Sequence, residues 1–172
     1  RLDTDTSGCL LLARNPKAHK RFAAAFEAQA VTKVYHGVLA GVPQDSEGRI
    51  ELALAKISSA EKGWRMIPAR KGKRSLTEWR VVAEHEGRTL VEFRPATGRT
   101  HQIRVHLAHM RRPLLGDPLY GDAACNKRES RRAPRPMLHA YQLRFAHPTD
   151  GGDVSVDAPP PDDFCALGGA IV

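Results

Sequence analysis

The chain has 172 residues, enough for one domain with a real apolar core, and its hydrophobic content of 41% and charged content of 27% are ordinary for a globular protein. Lys and Arg number 27 against 19 Asp and Glu, a net charge of +8 that favours a polyanionic partner, while no apolar run approaches the ~18 residues a membrane helix needs. The three cysteines, Cys9, Cys125 and Cys165, are too far apart for a CxxC metal pair and odd in number, which excludes a disulfide framework and fits a reducing cytoplasm.

In chain order, "CLLLAR" (9–14) is a short apolar run that predicts a buried strand. "NPKAHKRFAAAFEAQA" follows, with Asn15 as N-cap and Pro16 at the first helical position. Phe22, Ala25, Phe26 and Ala30 recur at helical spacing, so the helix is expected to bury one face. "TKVYHGVLAG" (32–41) predicts a strand that stops at Gly41. Residues 42–74 read as irregular, with short strands at "GRIELALA" and "GWRMIP" and a basic loop at 69–74. Residues 75–96 predict a hairpin turning at "EHEGR". "TGRTHQIRVHLAHM" predicts a turn into a helix capped by Thr100. "RRPLLGDPLYGDAA" is a Pro- and Gly-rich loop, and the basic stretch at 127–135 reads as surface. "MLHAYQLRFAHP" (137–148) is a strand, and "DVSVDAPPPDDF" a last strand running into a Pro-rich stop. No repeat and no second domain is visible. Strands outnumber helices, which predicts an α+β fold with a largely antiparallel or mixed sheet.

Several chemistries lack their residues. No GxxxxGK[ST] loop and no GxGxxG is present, so nothing supports ATP or dinucleotide binding. His101 and His106, five apart, would lie about 140° apart around a helix. His106 and His109 share a face without a nearby acid, a poor metal site. No G-x-S-x-G elbow marks a serine hydrolase. There remain the opening "RLDTDTSG" and the distant "TGRTHQIRVH". A strand-end aspartate facing an arginine is often a plain salt bridge. It is also a catalytic device, since the cation favours the ionised carboxylate and holds it in place. In a basic cleft such an aspartate would meet a nucleotide flipped from its stack.

These stretches resemble a known family. "RLDTDTSGCLLLARN" is similar to the R-L-D-x-x-T-S-G-[LI]-L-[LV]-x-A block of the RluA-type RNA pseudouridine synthases. "KVYHGVLAG" resembles their K-x-Y-x-[AG]-x-[VL]-x-G block, "PATGRTHQIRVHLAHMRRPLLGDPLYG" their G-R-[TS]-H-Q-[IL]-R-V-H block with its downstream G-D-x-x-Y-G, and "LHAYQLRFAHP" their closing strand. The blocks occur in the family's order over about residues 1–164.

The resemblance implies isomerisation of uridine to pseudouridine within ribosomal or transfer RNA, without cofactor or metal, by a bent, mostly antiparallel sheet flanked by helices and loops around a central cleft. It carries the essential aspartate to Asp3, as nucleophile or base, with attack on ring or sugar left open. Asp5, two residues on, is read as a turn or surface residue. The family's tyrosine falls on Tyr35, which would pack against the base and take the proton from C5. Its arginine falls on Arg104, as the partner that keeps Asp3 ionised. Arg1, Arg99, Thr100, His101 and Gln102 are the expected RNA contacts, with the loops at 69–74 and 127–135 as further candidates to grip the strand.

Two departures stand out. The family has a His and several strands ahead of the R-L-D block, so residues 1–172 are expected to be one catalytic domain lacking those strands and any N-terminal RNA-binding domain. Arg111 stands where the family often has Gly. A monomer in the cytoplasm, with RNA as partner and no membrane attachment, completes the expectation. The alternative is an RNA-binding module of the same fold whose catalysis is lost or secondary.

Overall fold

Alternating apolar residues from 32 to 96 assemble the centre of the fold. The computed structural model describes residues 1–61, 63–121 and 133–168. They form one sheet from β1 (Ser7–Gly8), β2 (Thr32–Ala40), β3 (Glu47–Ser59), β4 (Gly63–Pro68), β5 (Lys73–His85), β6 (Arg88–Pro95), β7 (Leu138–Ala146) and β8 (Asp153–Asp157). Its order is β1-β7-β2-β6-β5-β3-β4, with β8 also paired to β7. All neighbours are antiparallel except β1 and β7. Among the described residues the helices are α1 (Pro16–Glu27), α2 (Gln102–His109) and α3 (Asp162–Gly168). This is the predicted α+β architecture.

Period-2 alternation sorts the strands into two faces. Tyr35 pairs across the ladder with Phe93, and Phe93 with Trp79. That face buries Phe93, Val91, Ile50 and Leu138 against Ile103 and Leu107 of α2. On the other face α3 inserts Phe164, fully buried, against Val38, Leu90 and Met137. Burying a Phe of this kind contributes about 2–3 kcal/mol.

The structure differs from expectation in the 9–14 run, in α1, in the 42–74 stretch and at the C-terminal segment. The 9–14 run forms no strand: only Cys9 is buried, and Leu10 and Leu12 are 53% and 75% exposed. The reason is edge competition. β1 pairs with His139 and Ala140, and from Gln142 onward the same edge of β7 is held by β8, so the ladder has no place for residues beyond Cys9. Helix α1 begins as predicted, with Asn15 Oδ1 accepting from Ala18 N at 2.9 Å, yet none of its residues is fully buried. The 42–74 stretch is far more regular than its sequence implies, because β3 pairs along its length with β5 and with β4. After the Pro-rich run the chain does not stop but makes α3, opened by Asp162 and Asp163 at the helix end where acids are favoured.

Candidate active site

The opening segment crosses the sheet edge and is pinned along its length. Thr6 N donates to Asp3 O (3.1 Å), closing a turn in which Asp5 takes φ 68°. Arg135 Nη1 donates to Asp5 O (3.1 Å), and the same guanidinium grips Asp163 of α3 with two hydrogen bonds of 2.7 and 2.9 Å. Ser7 Oγ meets His139 Nδ1 at 2.9 Å, and His139 Nε2 meets Ala158 O at 2.9 Å. Since a carbonyl only accepts, the imidazole proton sits on Nε2 and Ser7 donates to Nδ1. Gly8, at φ 108°, lets the backbone approach β7 so closely that a Cβ there would stand 2.2 Å from Ala140 O.

Asp3 thereby projects into a cavity of about 440 Å³ between the start of the chain, β2 and the N-terminal end of α2. Asp3, Tyr35, Arg104, Arg1, Arg99, Thr100, His101 and Gln102, the positions singled out from sequence, all border it. A cavity of this size is in the range that holds a small ligand.

Arg104, on the first turn of α2, is the charged centre. Its Nη1 lies 3.5 Å from Asp3 Oδ2. Its Nε and Nη2 donate to Asp117 at 2.7 and 2.8 Å, and Asp117's side chain is 0% exposed. The arginine expected to serve Asp3 is therefore itself held by a second acid. Burial alone would lower the Arg104 pKa, and hydrogen bonding and charge from Asp117, with Asp3 behind it, reverse this and raise it. Asp117 Oδ1 also accepts from the backbone N–H groups of Leu119 and Tyr120, each at 3.0 Å, so it ties the "GDPLY" turn to α2.

His101 does not belong to the helix. It adopts φ 51° just ahead of it, and Thr100 does not cap. Thr100 Oγ1 instead accepts from Arg1 Nη2 at 3.0 Å. His101 Nδ1 lies 2.9 Å from Tyr120 Oη, which also accepts from Met66 N at 3.0 Å. The imidazole Nε2 faces Asp3 Oδ1 at 4.0 Å. Burial, opposed by the charge of Asp3, lowers the His101 pKa and favours the neutral imidazole. Trp64 stacks on the imidazole at 5.0 Å.

Gln102 borders the cavity, but its amide is engaged within the protein. Oε1 accepts from Thr97 Oγ1 (2.7 Å) and Arg99 N (3.0 Å), and Nε2 donates to Leu76 O (2.9 Å) and Thr77 Oγ1 (3.0 Å). Those bonds hold the 97–101 loop on β5. Arg99 remains exposed at the rim, with Nε donating to Arg74 O at 3.2 Å. Tyr35 lies on the cavity floor, and burial, followed by the nearby charges of Asp3 and Cys9, pushes its phenol up to about 12. Lys33, not singled out from sequence, also borders the cavity, and burial lowers its pKa.

The other expectations fall as follows. Arg70, Lys71, Lys73 and Arg74 of the 69–74 stretch are exposed, and residues 122–132 lie outside the described part. Arg111 takes φ 58° just after α2, the left-handed conformation that favours Gly. His106 is no cavity residue: it is buried, 2.8 Å from Ser75 Oγ. Among the described residues no group of three or more His, Cys, Asp or Glu is placed to hold a metal, and no helix is long and apolar enough to cross a membrane.

The structure brings Asp3, Tyr35 and Arg104 to one cavity and adds Asp117, which the sequence blocks did not single out, behind the arginine. Residues 1–109 match the family model described as RNA pseudouridylate synthase. The chain belongs to that family. It is 48% identical over 98% of its length to an uncharacterised RNA pseudouridine synthase of Zymomonas mobilis, spanning 74% of that protein. It is 36% identical over 97% of its length to the ribosomal large subunit pseudouridine synthase D of the same organism, of which it spans 53%. Of the chloroplastic RNA pseudouridine synthase 2 of Arabidopsis thaliana it spans 45%, at 34% identity. The fold matches the solved human RNA pseudouridylate synthase domain containing 1 with a TM-score of 0.78 at 35% identity, covering 94% of this chain and 67% of that one.

Proposed function

We propose that this protein isomerises uridine to pseudouridine within an RNA chain. The observation that carries the reading is the convergence of Asp3, Arg104 and Tyr35, from three distant parts of the sequence, on one cavity with a basic rim. In the reaction the N1–C1′ bond breaks, a C5–C1′ bond forms, N1 gains a proton and C5 loses one. Nothing is oxidised, so no cofactor is called for. Asp3 supplies the carboxylate that acts as nucleophile or base in the bond exchange, on the ring or on the sugar. Arg104, anchored by Asp117, holds that carboxylate in place. Tyr35 packs against the uracil and relays the C5 proton to the neighbouring Asp3 once that carboxylate is free again, while N1 takes its proton from solvent. Arg1, Arg99, Thr100 and His101 contact the RNA at the mouth, while Gln102 shapes the loop that presents them.

Ribosomal RNA is the favoured substrate, since a relative at 36% identity is named for the ribosomal large subunit, with transfer RNA second. The protein acts as a monomer in the cytoplasm. The test is chemical mapping of pseudouridine after incubating wild type and Asp3→Ala with transcribed ribosomal and transfer RNA. A uridine modified by wild type alone supports the enzyme and names its substrate. No pseudouridine with either protein, but salt-sensitive RNA binding by both, would make it a binding module instead.

A further inference from the structure

With the target uridine in the cavity, the RNA strand must continue past it. Just outside lies an aromatic surface with no evident role in the fold. Trp64, at the start of β4, is 44% exposed. Its partner across the β3–β4 ladder is Ser58, too small to pack against it. The indole rests instead on His101, with ring centroids 5.0 Å apart and planes 30° from parallel. The same imidazole faces the Asp3 carboxylate, 4.0 Å from His101 Nε2. Lys56 Nζ stands 4.7 Å from the indole centroid, a cation beside a flat π-face. The mount is rigid. Neighbouring Met66 donates its N–H to Tyr120 Oη and is buried with Leu54 of β3 and Val105 of α2. The hairpin is thus fixed to the helix that carries Arg104. Arg70, Lys71, Lys73 and Arg74 lie exposed in the turn after β4 and the start of β5, the side from which Arg99 also reaches.

An exposed indole beside a cation at the mouth of a basic cleft has the elements that hold single-stranded nucleic acid: a stacking surface tolerant of any base, and positive charge for the backbone. We propose that Trp64 and Lys56 form a stacking subsite for a nucleotide flanking the target uridine, with the base on the indole and Lys56 displaced towards its phosphate. This rests on the reading of the cavity as the uridine site. The subsite grips the strand while the target base is out of its stack, and it recognises an unpaired neighbour rather than a sequence.

The protein has two tryptophans, and Trp79 is 8% exposed in the core, so Trp64 is the one that solvent and RNA reach. Octauridylate is titrated into wild type and Trp64→Phe, with tryptophan emission and the anisotropy of end-labelled octauridylate read in parallel. Wild-type emission is expected to quench in step with binding, and the quench to vanish in Trp64→Phe. Trp64→Leu, which keeps the apolar bulk, is expected to weaken octauridylate by about five- to a hundred-fold. An octamer with a single central uridine and abasic neighbours should bind wild type as weakly as octauridylate binds Trp64→Leu, and should not distinguish the two proteins. If octauridylate binds wild type and Trp64→Leu equally, or binds without touching the emission, the subsite is overturned while the cavity reading stands. The same holds if Trp64→Leu lowers kcat alone, the mark of a prop for His101. If wild type binds no octauridylate at low salt and forms no pseudouridine, both readings go.

Discussion

Asp117 grips Arg104 with both carboxylate oxygens, at 2.7 and 2.8 Å, and leaves only Nη1 turned towards Asp3. A lone buried guanidinium would be costly and would have freedom to swing. Asp117 removes both problems, and its bonds to Leu119 N and Tyr120 N extend the clamp to the loop behind. Asp117→Asn keeps the size but cannot accept two charge-assisted hydrogen bonds in the same way. We expect it to cost about 3 kcal/mol in urea unfolding and to lower kcat for pseudouridine formation by ten-fold or more. If kcat is unchanged at full stability, Asp117 is no positioning residue.

Tyr35 makes a prediction at the alkaline end. Its folded pKa, pushed up to about 12 by burial and then by Asp3 and Cys9, lies above the unfolded value near ~10. The neutral phenol is what the fold prefers. The stability it contributes is complete below about pH 10 and is lost as pH rises towards about 12, because the unfolded chain gives up the proton first. Tyr35→Phe should flatten that part of the stability profile. At neutral pH it should lower kcat by about a hundred-fold or more, the scale of a lost proton transfer, with RNA affinity kept. Equal alkaline profiles for the two proteins would remove the argument.

The acid side depends on two buried imidazoles outside the cavity. Burial lowers the pKa of both His36 and His106 to about 4. Neither has a partner for its Nδ1 among the described residues. At His106 the reason is plain: Ser75 Oγ donates to Leu52 O, so it accepts from Nε2, and a second proton on Nδ1 would find no acceptor. With unfolded values near ~6.5, both groups contribute stability that is full above about pH 6.5 and lost as pH falls towards about 4. His36→Phe keeps the stack on Tyr141, now 4.4 Å between centroids, and leaves Arg80 and Arg94 on Glu92. It should reduce the pH dependence of unfolding free energy near pH 5 by up to about one proton. An unchanged slope there would show that His36 already carries its proton in the fold.

Much of the site was legible in the sequence because its blocks are linear. Asp3, Tyr35 and Arg104 sit in contiguous motifs, and the fold needed only to bring these together. Asp117 and Tyr120 stood in an equally visible stretch, "GDPLYG", but their roles depend on that loop folding back on α2 and β4, which spacing does not reveal. Trp64 carried no motif at all. The Asn15 helix cap and the Glu86–Gly87 hairpin turn announced themselves through local chemistry. The 9–14 run did not behave as its apolarity suggested, since the strand that excludes it, β8, comes some 140 residues later. Asp162, Asp163 and Phe164 held a helix signal that the preceding prolines hid.

Gly8 offers the most direct test of how the opening segment is held. It combines φ 108°, which side chains rarely adopt, with a Cβ position 2.2 Å from Ala140 O and 2.7 Å from Ala140 N. Those are backbone atoms of a paired strand and have nowhere to go. Gly8→Ala must either push β1 off β7 or strain both, and a cost of about 3 kcal/mol or more is expected. The displaced piece would take the Ser7–His139 hydrogen bond with it, and Asp3 lies only five residues ahead of the break. Pseudouridine formation should therefore fall more steeply in Gly8→Ala than in Ser7→Ala, which loses the hydrogen bond but keeps the strand contact. Urea unfolding ranks the two variants for stability, and kcat on a common RNA ranks them for alignment. If Gly8→Ala retains wild-type kcat, Asp3 does not depend on the β1–β7 pairing for its position.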